Sequence, residues 1–371
     1  MKRLVKKNYF ILIPIIILMV FSLLNMYNAK YIMSTYSTYF IKQILWFMIG
    51  FLIIIACSKY NLENIFSFSY FLYGINVFLL LLVLFLGKEI NGTKAWFDLA
   101  YFSFQPSELM KLSLLLTLSN LANSLRMRTI RNEWKFIVKV IILTLIPSIL
   151  TFLEPDTGSV IIYFVIALVV LFACRIRIRW FIFAFLIILF LGFLFFYTYY
   201  NFEELFTKIL GTSFFYRIDR IISFTNGEGM QIENALIAIG SAGLFGSGIN
   251  KVSIYFPESP TDFIFASSVS VFGLIGALII LLCYLVLFII LMSLIKNTSK
   301  KEIKIFITGI NGMFLYQVVQ SVLMNIGLMP IIGIPLPFLS YGGSSTLLYF
   351  TCIALIINLS GKKEKYPYWI F

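Results

Sequence analysis

The sequence contains no histidine. Imidazole catalysis, zinc held through imidazole and a histidine pH switch are therefore excluded. Cysteine is scarce: Cys57, Cys174, Cys283 and Cys352 lie inside or at the edges of apolar runs, and no CxxC pair exists. That placement argues for four small buried side chains rather than disulfides or a thiolate metal site. Charged residues make up 12% of the 371 residues, against about 25% in a soluble domain. Acid is the rarer sign, with 16 Asp and Glu against 29 Lys and Arg. A Gly-Lys-Ser/Thr phosphate loop is missing, as is any polar stretch that would hold an ATPase domain. There is no internal repeat, no low-complexity tract and no linker to a second soluble domain.

What is present is apolar: 61% of residues are hydrophobic and 18% aromatic, and the mean hydropathy is +0.97. A disordered chain would be poor in aromatics and rich in charge. The apolar residues come in blocks such as Ile11 to Val20 and Leu274 to Met292, long enough to build spans of about 20 residues. Spans are predicted near 9–26, 40–57, 67–86, 108–124, 136–153, 158–174, 181–199, 263–295, 305–327 and 344–360. The fold class is all-α: a polytopic integral membrane protein of about ten transmembrane helices, one domain over 1–371. A large extracellular loop, about 200–262, separates the seventh helix from the eighth. The basic start, Met-Lys-Arg-Leu-Val-Lys-Lys, precedes the first apolar run without a small-residue cleavage site, and reads as a cytoplasmic end.

Charge sets the orientation. On the side of the two ends lie 19 of the 29 Lys and Arg, from Lys2 to Lys365, against seven in the opposite loops. Positive-inside bias makes both termini cytoplasmic in the cell membrane, and the net charge of +13 then needs no nucleic acid. Arg126 to Lys135 and Arg175 to Arg179 read as topology signals that touch anionic membrane lipids. The acids go the other way: 12 of 16 lie at or near the outer face. Orientation rules hardly constrain acids, so outer-face chemistry is one reason for the bias.

Single elements leave two readings each. Gln105-Pro106-Ser107-Glu108 is a helix start, with Pro in the first turn, Ser as cap and Glu at the positive end. Glu108 and Lys111 share a helix face and suit an ion pair, yet an ionisable pair at a span edge also marks a functional cavity. Asp156, in Glu154-Pro155-Asp156-Thr157-Gly158, either caps the next helix or belongs to a site. Thr261 or Asp262 is either an N-cap or an acid placed to act on a lipid-borne substrate at the interface. Gly240 to Gly248 is glycine-rich without a phosphate-loop signature and reads as a flexible turn.

Five segments together resemble the SEDS family (shape, elongation, division and sporulation), the RodA, FtsW and SpoVE group. They are Asn-Gly-x-Lys-x-Trp from Asn91, followed by Phe-x-Phe-Gln-Pro-Ser-Glu-Leu-x-Lys-Leu from Phe102; Pro-Asp-x-Gly from Pro155; Ala-Ile-Gly-Ser-x-Gly-Leu-x-Gly-x-Gly from Ala238; Pro-Glu-x-x-Thr-Asp-Phe-Ile-Phe-Ala from Pro257; and Gly-Ile-Pro-Leu-Pro-Phe-Leu-Ser-Tyr-Gly-Gly-Ser-Ser from Gly333. The chain departs from the pattern at Ala95 and Ala242, and at Ser270 and Val271, where the family carries an acidic pair. The compact chain without long tails favours the elongation branch, RodA.

The resemblance implies a peptidoglycan glycosyltransferase that polymerises lipid II on the outer face of the cytoplasmic membrane. It assigns Asp262 as the essential acid. The expected substrate-binding set is Lys111 supported by Glu108, with Lys94, Arg217 and Arg220 as phosphate contacts, Trp96 on a sugar face or the interface, and Asp156 and Ser344 from the two turns. A sugar hydroxyl must lose a proton as it attacks the donor's anomeric carbon, and one carboxylate can take it. The leaving lipid pyrophosphate needs no acid once Lys, Arg or a divalent cation, Mg or Mn, neutralises it. No metal ligand is assigned in the chain. The implied partner is a class B penicillin-binding protein, a transpeptidase. The rival readings are a lipid II flippase, for which inverted repeats with broken helices are not seen, and a non-catalytic scaffold for the transpeptidase.

Overall fold

The computed structural model describes residues 9–60, 62–90, 93–98, 103–125, 129–202, 230–251 and 257–360. Among the described residues, ten long helices overlap the predicted apolar runs: α1 Leu12–Ile32, α2 Tyr39–Lys59, α3 Ser69–Leu86, α4 Pro106–Leu121, α5 Ile130–Leu153, α6 Thr157–Ala173, α7 Ile178–Asn201, α9 Ile264–Asn297, α10 Lys301–Asn325 and α11 Gly343–Ser360. Between α7 and α9 runs the shorter helix α8, Met230–Ser241. Eight of the long helices are long and apolar enough to cross a membrane; α4 and α6, at 16 and 17 residues, are shorter. The protein is a multi-pass helical membrane protein. Between α3 and α4 the chain forms three antiparallel strands, β1 Lys88–Ile90, β2 Thr93–Asp98 and β3 Ser103–Phe104, an addition to the all-helical expectation.

Two helices show why hydropathy and burial part company here. Helix α4 carries Ser113, Thr117, Ser119 and Asn120, yet it is the buried axis, packed by α3, α5, α6, α10 and α11. Three of the four bond to backbone: Ser113 Oγ donates to the Met110 carbonyl, Thr117 Oγ1 to the Ser113 and Ser69 carbonyls, and Asn120 Nδ2 to the Phe66 carbonyl, while Ser119 Oγ has no partner among the described residues. Polar groups at membrane depth are tolerated where protein covers them. Helix α7 is the opposite case. Its apolar window has no buried residue, and bulky side chains project on every side. Lipid tails are as apolar as Leu, so such a helix gains little from docking. It is fastened at its start, where Trp180 Nε1 donates to Glu133 at 3.0 Å and Trp180 stacks on Trp134.

Helix α9 is broken at Gly273 (φ 69°, ψ −167°), leaving a half-helix over 264–272. The Gly-rich segment read as a flexible turn instead fills the break. Ser247 and Gly248 N–H donate to the Ser270 and Val271 carbonyls, while Leu274 and Ile275 N–H donate to the Gly243 and Leu244 carbonyls. Four backbone groups that a broken helix would strand in an apolar medium are thereby satisfied. The altered positions Ser270 and Val271 serve here through their carbonyls, which any side chain leaves intact.

A Cβ at Gly273 would lie 2.3 Å from the Leu244 carbonyl oxygen and 2.4 Å from the Gly246 nitrogen. Gly273→Ala is therefore expected to lower the unfolding temperature in detergent, through about 1–3 kcal/mol of backbone strain plus displacement of the docked loop. Gly243→Ala, with positive φ but open space around it, should cost less. Equal losses in the two variants would contradict the interlock.

Candidate active site

Hydrogen bonds join four of the five sequence motifs at one end of the helix bundle, and the glycine-rich fifth docks at the break in α9. Pro106 opens α4 at its first position, where a missing N–H costs nothing. Ser107 does not cap the helix as expected. Its Oγ donates to Asp156 Oδ2 at 2.9 Å, beside a second bond from Gln105 Nε2 at 2.9 Å. Asp156 Oδ1 accepts from the Ser159 N–H at 3.0 Å and so caps α6. Both oxygens of Asp156 are thus taken by structure. The Gln105 N–H donates to Ser344 Oγ at 3.0 Å, tying the start of α4 to the start of α11.

The segment Pro257–Phe263 is a tight turn. Glu258 stands in the left-handed region (φ 55°), its carbonyl accepts from the Thr261 and Phe263 N–H groups, and its carboxylate accepts from Thr261 Oγ1. The Pro-rich segment before α11 clamps this turn. Ser340 Oγ donates to the Thr261 carbonyl at 2.7 Å, and the Tyr341 N–H donates to the Pro260 carbonyl at 2.9 Å. Residues in such conformations persist only where surrounding contacts over-determine them, and they concentrate at functional sites.

Asp262 sits in the middle. Neither it nor Thr261 caps α9: the N-cap position is Phe263, and no side chain there bonds the helix start. The half-buried Asp262 carboxylate makes no hydrogen bond or ion pair with the described residues. Its Oδ2 lies 3.6 Å from where a Cβ on Gly333 would be, an ordinary contact distance, and Gly333 is suited to its place by a positive φ of 69°. Gly158 draws Asp156 to the same place, since a Cβ there would stand 2.8 Å from the Ile332 carbonyl oxygen. Burial, then the charges of Glu258 and Asp156, push the Asp262 carboxyl up to about 7.

Glu154, unmarked as a site residue by the sequence, is fully buried, and neither carboxylate oxygen has a partner among the described residues. Burial and the neighbouring Asp156 push it up to about 9, so it is a neutral acid at neutral pH.

Lys111 forms the ion pair that its spacing from Glu108 predicts. Its ammonium bonds Glu108 Oε1 at 2.6 Å, and the two side chains are 1% and 6% exposed. The sequence left the pair as a plain ion pair or as part of a functional cavity; the ion pair is formed, and it is sealed between helices because no residue of α4 is exposed. Lys94 is exposed on β2 and donates to the Phe85 carbonyl at the end of α3. Trp96 is half-buried and pairs across the sheet with Lys88. Arg217 and Arg220 lie outside the described residues. No three carboxylates or cysteines converge as a metal site among the described residues.

The sequence model of the cell cycle protein family FtsW/RodA/SpoVE matches residues 3–365. The chain belongs to this family. The probable peptidoglycan glycosyltransferase FtsW of Buchnera aphidicola subsp. Baizongia pistaciae is 34% identical over 300 residues, covering 77% of this chain and 74% of its own. Stage V sporulation protein E of Bacillus subtilis is 31% identical over 363 residues, covering 93% and 94%. Among solved structures, a chain from a peptidoglycan synthase complex that coordinates polymerization and crosslinking superposes with a TM-score of 0.76 at 25% identity, covering 95% of this chain and 97% of that one. The rod shape determining protein RodA of Thermus thermophilus gives 0.68 at 25% identity, covering 95% and 96%.

Family membership accounts for the motifs but not for Asn325, which the sequence left inside a span. It is fully buried and bonds both the Asp262 carbonyl and the start of α9. An amide at the end of an apolar helix was the only available signal.

Proposed function

We propose that the chain is a peptidoglycan glycosyltransferase that polymerises lipid II at the outer face of the cell membrane, with both termini cytoplasmic. One observation carries the reading. Of the acids gathered by the motifs, Asp156 is used as a cap and clamp, Glu258 is bonded within its turn and Glu108 is paired with Lys111, while Asp262 is left unbonded by the described residues. A carboxyl held near neutrality is the protonation range a general base needs.

In the proposed reaction the acceptor sugar hydroxyl attacks the donor's anomeric carbon. The new C–O bond forms as the bond to the lipid pyrophosphate breaks, and the hydroxyl proton passes to Asp262. The rigid turn from Glu258 to Phe263 orients the base. Lys94, Arg217 and Arg220 are the proposed pyrophosphate contacts, with Trp96 against a sugar or the interface and Ser344 in the first turn of α11. Lys111 acts through its buried pair. A divalent cation, when bound with the pyrophosphate, would add charge neutralisation. A class B penicillin-binding protein is the proposed partner, supported by the likeness to a chain of a synthase complex.

The test is polymerisation of purified lipid II by the purified protein with a class B partner and Mg or Mn. Glycan strands are the expected product. Lipid II crossing sealed vesicles with no strands formed would mean a flippase, and neither outcome would mean a scaffold.

A further inference from the structure

The half-helix at the start of α9 poses a problem that its own sequence does not solve. The first N–H groups of a helix have no intrahelical partner, and the usual remedy is an Asp, Asn, Ser or Thr just before it. Thr261 and Asp262 stand in that region. Had Asp262 turned inward to accept from the Ala266 or Phe265 N–H, its carboxylate would be spent on structure, as that of Asp156 is at α6. Asn325 does the capping from another helix. Its Oδ1 accepts from the Ala266 N–H at 2.8 Å. Its Nδ2 donates to the Asp262 carbonyl at 3.0 Å and to the Ser321 carbonyl at 2.8 Å. Two carbonyls and one N–H fix which end of the amide is which, and all its partners are buried backbone.

We propose that Asn325 is a positioning residue: it caps the half-helix in place of Asp262 and pins the Asp262 peptide, leaving that carboxylate free toward the reacting sugars. The catalytic part of this inference rests on the function proposed above; the structural part does not. The charged groups that face Asp262 are Glu258 from its own turn and Asp156 from the start of α6, and no described Lys or Arg pairs with it. Removing Asn325 changes neither of them. It takes away the acceptor of the Ala266 N–H and the donor that holds the Asp262 carbonyl, and Asp262 stands in the stretch from which a helix start is ordinarily capped.

The experiment follows the carboxylate directly. The chain has four aspartates, Asp98, Asp156, Asp219 and Asp262, so carboxyl-labelled aspartate gives few carbon NMR signals, and Asp262→Asn assigns the one that matters. In Asn325→Ala the Asp262 signal should titrate about one unit lower or more, because a carboxylate bonded to helix N–H groups favours its charged form. Polymerisation at pH 8 should fall at least about tenfold, within the contribution expected of a positioned base, with KM changed little. Asn325→Asp keeps the acceptor for Ala266 and adds a second carboxyl behind Asp262. Its Asp262 titration should move upward, and it should keep more activity than Asn325→Ala. An Asp262 titration unmoved in both variants would overturn the proposal, as would Asn325→Ala with wild-type rate. If Asn325→Ala does not fold, the direction of the shift in Asn325→Asp decides. If wild type makes no glycan, the proposed function fails, and the titrations still decide what Asn325 does to Asp262.

Discussion

Asp262→Asn is expected to cut glycan synthesis by about 10²–10⁴-fold, the contribution of a positioned general base. The substitution keeps size and polarity, and the carboxylate it replaces bonds none of the described residues, so folding should be untouched. The wild-type rate should carry the signature of the same group. Its carboxyl is held at about 7, against 3.8 when unperturbed, so the basic form is present above pH 7 and is lost below it. The rate should therefore fall about tenfold per pH unit below that point. Glu258→Gln removes one of the charges that raise it and should move the acid limb to lower pH. Stability runs the other way. Between pH 3.8 and 7 the folded protein holds a proton that the unfolded chain has lost, so this group makes folding less favourable as pH rises through that window. Asp262→Asn should melt no lower than wild type at pH 8. An Asp262→Asn enzyme that polymerises at the wild-type rate would remove the residue from the chemistry.

How much of this was legible beforehand differs by element. The long helices were readable because apolar runs report lipid contact, and α7, facing lipid all round, gave one of the plainest signals. Helix α4 was also predicted as a span, near 108–124, although a helix surrounded by protein can carry Ser113, Thr117 and Asn120 and so bears a weaker apolar mark. The strands over 88–104 were not foreseen, because Asn91-Gly92 and the residues after it alternate weakly. The glycines from Gly240 to Gly248 read as flexible for a sound local reason. What holds them is a helix break more than twenty residues away, which composition cannot show. At the site, local physics left Asp262 evenly divided between cap and base. The contact that bears on the choice comes from Asn325, 63 residues away. For Lys111, spacing three residues apart predicted the pair with Glu108 but not the helices that seal it.

The Glu108–Lys111 pair is where the second large effect is expected, and it separates stability from function. Both side chains are nearly sealed, and Glu108 Oε2 has no hydrogen-bond partner among the described residues. Desolvating two ions costs several kcal/mol each, and one short contact with spare donors and acceptors left over does not fully offset it. The pair is therefore a poor way to hold a bundle together. Breaking it is worse. Lys111→Met leaves a carboxylate among Tyr163, Tyr349 and Cys352, all within its electrostatic reach, and should destabilise the protein by about 3–5 kcal/mol. Glu108→Gln strands the ammonium and should do the same. The double change Glu108→Leu with Lys111→Met removes both charges, and its melting temperature in detergent should return to or exceed that of wild type. Lipid II polymerisation by the double variant then discriminates. Stability regained without activity would mean that the charges are kept for the reaction, acting on the site through α4, which also carries the Gln105 and Ser107 bonds to Asp156. Stability and activity regained together would mean that the pair only fits the helices to one another.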